Sequence, residues 1–269
     1  MTAIAVTIAG SDSGGGAGTQ ADLKTFSALG VYGASVIAAL TAQNTRGVSG
    51  IHDVPPDFVT AQIDAVYSDL DVNATKIGML SRIDTMEAVA AGLERWAVKK
   101  VVLDPVMVAA SGDPLIIDDA VDFLVKRLFP IVDMITPNLH EAARVLDSQV
   151  AQSRADMRDQ AKRLKALGPA AVLLKGGHGT TGESADLLLD ETGEHWFDAV
   201  RIATDNTHGT GCTLSSAIAA GLARGLSLTE SVRLGKDYVT AAIAAADTLR
   251  IGHGHGPVHH FHAFWKETT

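Results

Sequence analysis

The run Ala3-Ile4-Ala5-Val6-Thr7-Ile8-Ala9 passes into Gly10-Ser11-Asp12-Ser13-Gly14-Gly15-Gly16-Ala17-Gly18 and then into the amphipathic segment 21–29. A short apolar run ending in glycine and polar residues reads as a buried strand, and the segment after the loop reads as a helix. The same cadence recurs along the chain. Residues 74–77, 100–103, 134–136 and 171–174 read as further buried strands, and residues 56–70, 84–97, 118–128, 139–146 and 154–167 as helices. Such alternation predicts a parallel sheet covered by helices on both faces.

Two segments interrupt the cadence. Residues 32–42 and 47–54 read as extended strands around Gln43-Asn44-Thr45-Arg46, a candidate flap, and residues 184–189 and 195–201 read as a hairpin. Residues 210–224 and 228–249 close the chain as helices. No Pro- or Ser-rich linker, repeat or low-complexity tract divides it, so the expectation is one domain over residues 1–269.

Composition narrows the class. Hydrophobic residues are 46% and charged residues 20% of the 269, enough to bury a core and too apolar for disorder. The formal charge of −9 argues against nucleic acid as a general partner. No apolar run approaches the length of a membrane span, and the Met1-Thr2-Ala3 start lacks a basic leader. A single cysteine cannot make an internal disulfide, which fits a reducing, cytoplasmic setting.

In open α/β sheets ligands sit beyond the carboxyl ends of the strands. The residues gathered there are Gly10-Ser11-Asp12, Gly78-Met79, Asp104-Pro105-Val106, Pro137-Asn138 and Lys175-Gly176-Gly177-His178. The loop from Ser11 to Gly18 is neither a Walker A loop nor a dinucleotide fingerprint. Its glycines allow close backbone approach, and the helix that follows favours an anion.

A second such loop, Asn206-Thr207-His208-Gly209-Thr210-Gly211-Cys212-Thr213, carries the cysteine to the mouth of a helix. Unpaired N–H groups and the helix dipole can hold negative charge there and lower a thiol's pKa. Cys212 then reads as a base or nucleophile at neutral pH; a lone cysteine before an alanine-rich helix also reads as a small packing residue. Two anion sites at one cleft suit phosphoryl transfer, where catalysis is mostly positioning and charge neutralisation.

Asn138 and Glu141 lie three apart at a helix start, a spacing that serves a ligand or simple dipole compensation alike. Asp104 terminates its strand or supports the same network. Lys175, ending an apolar strand before two glycines, is placed for a phosphate contact.

The chain also carries Gln20-Ala21-Asp22-Leu23-Lys24-Thr25, Ala42-Gln43-Asn44-Thr45-Arg46-Gly47, Lys76-Ile77-Gly78-Met79-Leu80, Asp104-Pro105-Val106-Met107, Thr136-Pro137-Asn138-Leu139-His140-Glu141-Ala142 and Gly209-Thr210-Gly211-Cys212 in order. With these motifs it resembles the hydroxymethylpyrimidine/phosphomethylpyrimidine kinases of thiamine biosynthesis, members of the ribokinase-like superfamily. The resemblance runs from the first strand to the tail 252–261.

It implies a three-layer α/β/α sandwich with a mostly parallel central sheet, ATP and Mg2+ as cofactors, and a homodimer. It implies that Cys212 activates the acceptor hydroxyl, where most ribokinase-like relatives have aspartate, while the N–H groups of Gly209, Thr210, Gly211 and Cys212 stabilise the phosphoryl group. Gln43 would read the pyrimidine edge, since a carboxamide matches a ring nitrogen beside an amine. Asp22, Met79, Val106 and the loop from Gly10 to Ala17 would complete the pocket. Lys175, Asn138 and Asp104 would serve the nucleotide, and Glu141 hydrated magnesium.

At Ser13-Gly14 many members have Pro-Ser, and the added backbone freedom should loosen the first loop. The histidines at 253, 255, 259, 260 and 262 read as tail packing ahead of a metal site. Pyridoxine or pyridoxal kinase is the second enzyme reading. A noncatalytic pyrimidine-binding protein is a third, against which the intact phosphate machinery argues.

Overall fold

The computed structural model describes residues 1–108, 118–177 and 183–265. One sheet runs through them, formed by β1 (Ile4–Gly10), β2 (Tyr32–Asn44), β3 (Gly47–Asp53), β4 (Ala74–Ile77), β5 (Val101–Leu103), β6 (Met134–Ile135), β7 (Ala171–Leu174), β8 (Glu183–Leu189) and β9 (Glu194–Val200). Its order is β3-β2-β1-β4-β5-β6-β7-β8-β9. The six strands from β2 to β7 in that order are parallel, and β3, β8 and β9 close the two edges antiparallel.

The helices are α1 (Gly18–Ala28), α2 (Pro56–Tyr67), α3 (Ile83–Arg95), α4 (Asp118–Phe123), α5 (Leu139–Val145), α6 (Arg154–Lys165), α7 (Thr210–Ala223) and α8 (Leu228–Ala244). Strand alternation divides them between two layers. Val101 and Leu103 of β5, with Val172 and Leu174 of β7, face α2 to α6, burying Ile63, Met86, Leu128 and Leu164. Val102, Ala171 and Leu173 point the other way, onto α1, α7 and α8, burying Phe26, Ile218 and Val239. A strand buried on both faces must be apolar throughout, which is why these strands read as unbroken apolar runs.

The interruptions turn out to belong to the sheet. Residues 32–39 of β2 pair in parallel with β1, and from Ala39 to Asn44 the same strand pairs antiparallel with β3. Only the turn at Thr45 and Arg46 projects. The expected helix 118–128 is instead α4 followed by a π-helical turn, Leu124–Leu128, and a 3-10 turn, Phe129–Ile131. Pro130, with no N–H to give, ends it. The final helix stops at Ala244, earlier than expected, and a 3-10 turn Ala246–Thr248 follows.

The chain moves from β1 outward to β2 and β3, then returns to β4 on the other side of β1. That reversal opens a crevice beyond the carboxyl ends of β1 and β4. The Gly10 N–H donates to the Met79 carbonyl across it at 3.2 Å.

Candidate active site

A cleft of about 1190 Å³ opens along the carboxyl ends of the parallel strands. Gly10, Ala17, Gln43, Met79 and Val106 line one part of it, and Gly209, Thr210, Gly211, Cys212, Asp104, Asn138, Glu141 and Lys175 line another. Val200, Ile202, Leu214, Val239 and Ile243 add an apolar wall. The structure thus brings together the residues expected at the site except Asp22 and the middle of the first loop, Ser13, Gly14, Gly15 and Gly16. His178 lies outside the described residues.

The first glycine loop already holds an anion, and it is the protein's own. The Asp12 carboxylate accepts the N–H groups of Gly14 at 2.8 Å, Gly16 at 3.0 Å and Ala17 at 2.8 Å. His208 Nε2 lies 2.8 Å from the same carboxylate. Burial opposes ionisation of Asp12, yet the hydrogen bonds from His208, Ala17 and Gly14 hold its pKa below the ordinary carboxylate value. This corrects the expectation of a second external anion site, because those N–H groups are satisfied internally.

Nor is this loop loosened at Ser13-Gly14. Ser13 Oγ donates to the Gln43 carbonyl at 2.8 Å and accepts the Gln43 N–H at 2.8 Å, stitching loop to flap. The Gln43 side chain is oriented in turn: its Oε1 accepts from Thr41 Oγ1 at 3.2 Å, and its Nε2 lies 3.4 Å from His208 Nε2.

The second loop keeps its N–H groups for something else. Gly209, at φ 82°, caps α7 without any side-chain hydrogen bond. Thr210 N–H reaches the Thr207 carbonyl at 3.3 Å, while Gly211 and Cys212 N–H groups find no backbone acceptor among the described residues. This is an uncapped positive helix end. A β-carbon on Gly211 would lie 3.4 Å from both Lys175 Nζ and Asp104 Oδ2, so the helix end abuts a buried ion pair.

Cys212 sits in the first turn of α7. Even so, its pKa is pushed up to about 11, first by burial, with Asp22 and Asp104 adding to the rise and Lys76 opposing it. The expectation of a lowered thiol pKa is therefore corrected. Burial, with the two carboxylates, outweighs the Lys76 ammonium.

Asp22 does not reach the cleft. Its fully buried carboxylate accepts from Lys76 Nζ at 2.9 Å and 3.0 Å, Thr7 Oγ1 at 2.6 Å and Ser216 Oγ at 2.5 Å. It acts on the site through Lys76, which sequence reasoning passed over as part of a motif. A lysine inside a four-residue buried strand must have a partner, and that was the available signal. Burial opposes the Lys76 charge, but Asp22, Cys212 and Asp104 raise its pKa above the ordinary lysine value.

Lys175 Nζ donates to Asp104 Oδ1 at 2.8 Å, and Thr136 Oγ1 donates to the same oxygen at 2.9 Å. Burial opposes the Asp104 charge, yet Lys175 and Lys76 keep its carboxyl low. Asn138 and Glu141 form a complete capping box on α5, with Glu141 Oε2 accepting the Asn138 N–H at 2.8 Å. Glu141 is pushed up to about 7, first by burial and then by Asp104, with Lys175 opposing.

Two nearby carboxylates, one of them strained by burial, are suited to a cation that keeps its water. Magnesium usually takes only one or two protein carboxylates. No group of three or more His, Cys, Asp or Glu side chains disposed for a metal occurs among the described residues. The donor set therefore fits hydrated magnesium beside phosphates better than a protein cage.

Three contributors had no local signal. His208 holds Asp12 across 196 positions of sequence. Asp186 accepts the Gly176 N–H at 2.8 Å and Lys236 Nζ at 2.6 Å, fixing the turn after Lys175. His260, pushed down to about 3 chiefly by burial, meets Thr213 Oγ1 at 3.0 Å.

The phosphomethylpyrimidine kinase family matches residues 12–259. The hydroxymethylpyrimidine/phosphomethylpyrimidine kinase of Rhizobium meliloti is 58% identical over 267 residues, spanning 99% of this chain and all of that one. The crystal structure of phosphomethylpyrimidine kinase from Clostridium difficile shares 42% identity at a TM-score of 0.80, over 89% of this chain and 99% of that one. An ADP complex of Bacillus subtilis pyridoxal kinase shares 33% identity at a TM-score of 0.88, over 97% and 98%. The fold is ribokinase-like.

Proposed function

The chain belongs to the phosphomethylpyrimidine kinase family, and on that premise we propose that it phosphorylates 4-amino-5-hydroxymethyl-2-methylpyrimidine with ATP. The monophosphate is then phosphorylated to the diphosphate, as a step of thiamine biosynthesis. The observation that carries this reading is the uncapped start of α7. Its Gly211 and Cys212 N–H groups, with no backbone acceptor among the described residues, stand beside Lys175 in a cleft of about 1190 Å³.

In this reading Gln43 holds the pyrimidine edge, and Met79 and Val106 pack on the ring. The hydroxymethyl oxygen attacks the γ-phosphorus of ATP, the bond to the β-phosphate oxygen breaks, and ADP leaves. The N–H groups of Gly209 to Cys212 and the Lys175 ammonium offset charge on the transferred group. Cys212 accepts the hydroxyl proton. The transition state is loose, so that proton can leave late, and a thiol ionised only in a minor fraction remains useful.

Asn138, Asp104 and Glu141 would hold hydrated Mg2+, which supplies charge neutralisation at the phosphates. The apolar wall from Val200 to Ile243 takes the adenine. We further propose one domain over 1–269, a cytoplasmic location, and a homodimer. No helix among the described residues is long and apolar enough to cross a membrane.

The test is ADP release with ATP and, in turn, the pyrimidine, its monophosphate and pyridoxal. Turnover of both pyrimidines is expected. Pyridoxal turnover without either would overturn the substrate assignment.

A further inference from the structure

Residues 252–257 lie across the tip of the β2–β3 turn. Thr45 Oγ1 accepts the N–H groups of His253 at 3.2 Å and Gly254 at 3.1 Å, and the Thr45 carbonyl accepts the His255 N–H at 2.9 Å. The alternate glycines face the protein. A β-carbon on Gly252 would overlap Thr45 Oγ1, one on Gly254 the Thr45 carbonyl, and one on Gly256 the Asn206 carboxamide. His253 and His255, between them, are exposed. The Gly-His-Gly-His-Gly pattern is therefore a close-packing register, with histidines at the outward positions.

The other end of this segment lies on the anion loop. The Gly256 carbonyl accepts the His208 N–H at 3.0 Å, and the His208 carbonyl accepts the Val258 N–H at 3.4 Å. Beyond Pro257 the tail is anchored: Tyr238 OH donates to the His260 carbonyl at 2.6 Å, and His260 meets Thr213 in the first turn of α7. A two-stranded hairpin is marginal alone, and the flap beyond Ala42 is such a hairpin.

We propose that residues 252–257 form a strap that fixes the flap against the anion loop, with Thr45 as the positioning residue that receives it. The strap sets the distance between Gln43, two residues before Thr45, and Gly209, the residue after His208. It thereby sets how the pyrimidine end of the cleft meets the phosphoryl end. This rests on the kinase reading above for its kinetic consequence, but the docking itself does not depend on it.

The test compares Thr45→Val, Thr45→Ser and Gly254→Ala with the wild type, by kinetics and by trypsin nicking after Arg46 in the native protein. Thr45→Val keeps volume and loses the acceptor of two N–H groups. The expected rise in KM for the pyrimidine is roughly ten- to thirty-fold, the weight of two ordinary hydrogen bonds, with KM for ATP within about twofold. Nicking after Arg46 should accelerate in Thr45→Val and Gly254→Ala, and Thr45→Ser should restore both values.

An equal rise in both KM values, or unchanged nicking in Thr45→Val and Gly254→Ala, overturns the strap. If the wild type turns over no pyrimidine, the function reading fails instead, and nicking alone decides the strap.

Discussion

A side chain on Gly209 would collide with the carbonyl oxygen of Gly16. Gly16 in turn has no room for a side chain, since a β-carbon there would lie 2.5 Å from His208 Cδ2. The two glycine-rich loops are thus one packed surface, with Asp12 binding the first loop to His208 of the second across 196 positions of sequence. Asp12 takes the N–H groups of Gly14, Gly16 and Ala17 in the first loop, whereas those of Gly211 and Cys212 in the second have no backbone acceptor among the described residues.

Gly209→Ala combines that collision with a left-handed backbone. The variant should lose about 1–3 kcal/mol of stability. It should also lose roughly 10²–10³-fold in kcat, the usual worth of a displaced anion-site donor. Thermal unfolding and steady-state kinetics measure the two effects. A folded Gly209→Ala protein with wild-type kcat would refute the assignment of charge stabilisation to this loop.

The pH profile tests the role of Cys212. With its thiol pushed up to about 11, the thiolate fraction at neutral pH is small and grows tenfold per pH unit. If the thiolate accepts the proton, log kcat should climb with a slope near one between about pH 7 and 9. Cys212→Ala should lower kcat by roughly 10²–10⁴-fold and remove the slope, while Cys212→Asp, a carboxyl whose ordinary pKa lies well below that of a thiol, should flatten the profile and retain turnover. An unchanged slope in the alanine variant would assign the titration to another group.

Glu141 gives a prediction whose two halves have opposite signs. Its carboxyl titrates near 4.5 when unfolded and about 7 when folded. Below the lower value both states are protonated and nothing is lost. Stability falls as pH rises through the folded value, and above it the buried charge costs on the order of a few kcal/mol. Glu141→Gln should therefore unfold at higher temperature than the wild type at pH 8, with the difference closing toward pH 4.5. Its kcat should nonetheless drop at pH 8, where the wild type carries the carboxylate needed at the phosphates. A variant that is less stable at pH 8 would contradict the burial argument.

What was legible in the sequence was what local pattern encodes. Strand ends, helix starts and the glycines that open loops follow from the two- and 3.6-residue periodicities and from φ preferences, so the polar residues at the strand ends and the α7 start were named, while the apolar wall from Val200 to Ile243 was not. What stayed hidden depends on partners far along the chain. Nothing in Ser11 to Gly18 reveals that the loop closes on its own Asp12, because the reading would be the same for an external phosphate. The helix field at Cys212 is local and readable, whereas the burial that outweighs it comes from tertiary packing. Lys76 was visible as an anomaly inside an apolar strand, but its partner lies 54 positions away.

The Lys76–Asp22 pair separates folding from chemistry. Both side chains are fully buried, so Lys76→Met leaves Asp22 uncompensated and should cost about 3–5 kcal/mol. Adding Asp22→Asn removes the orphaned charge and should recover much of that loss in urea unfolding. Turnover should stay low in the double variant, because the cation beside Cys212 is still missing. Recovery of both stability and wild-type kcat would show that Lys76 serves the fold alone.

Gln43 offers the cleanest test of what the enzyme reads. Its backbone is clamped on both sides by Ser13 Oγ, independent of the side chain, so Gln43→Leu should leave the flap in place. The substitution removes a donor and acceptor facing the cleft and leaves the ligand's amine and ring nitrogen unpaired in a desolvated pocket. That should weaken pyrimidine binding by about 1–3 kcal/mol. With the nucleotide placed as proposed, at the α7 start, Lys175 and the apolar wall, ATP affinity should barely move. Calorimetric titration of the pyrimidine, pyridoxal and a nonhydrolysable ATP analogue into both proteins distinguishes the outcomes. A loss confined to the pyrimidine assigns Gln43 to its recognition. Tight pyridoxal binding with no measurable pyrimidine binding in the wild type would move the enzyme to the pyridoxal side of its fold, leaving the phosphoryl-transfer geometry as described.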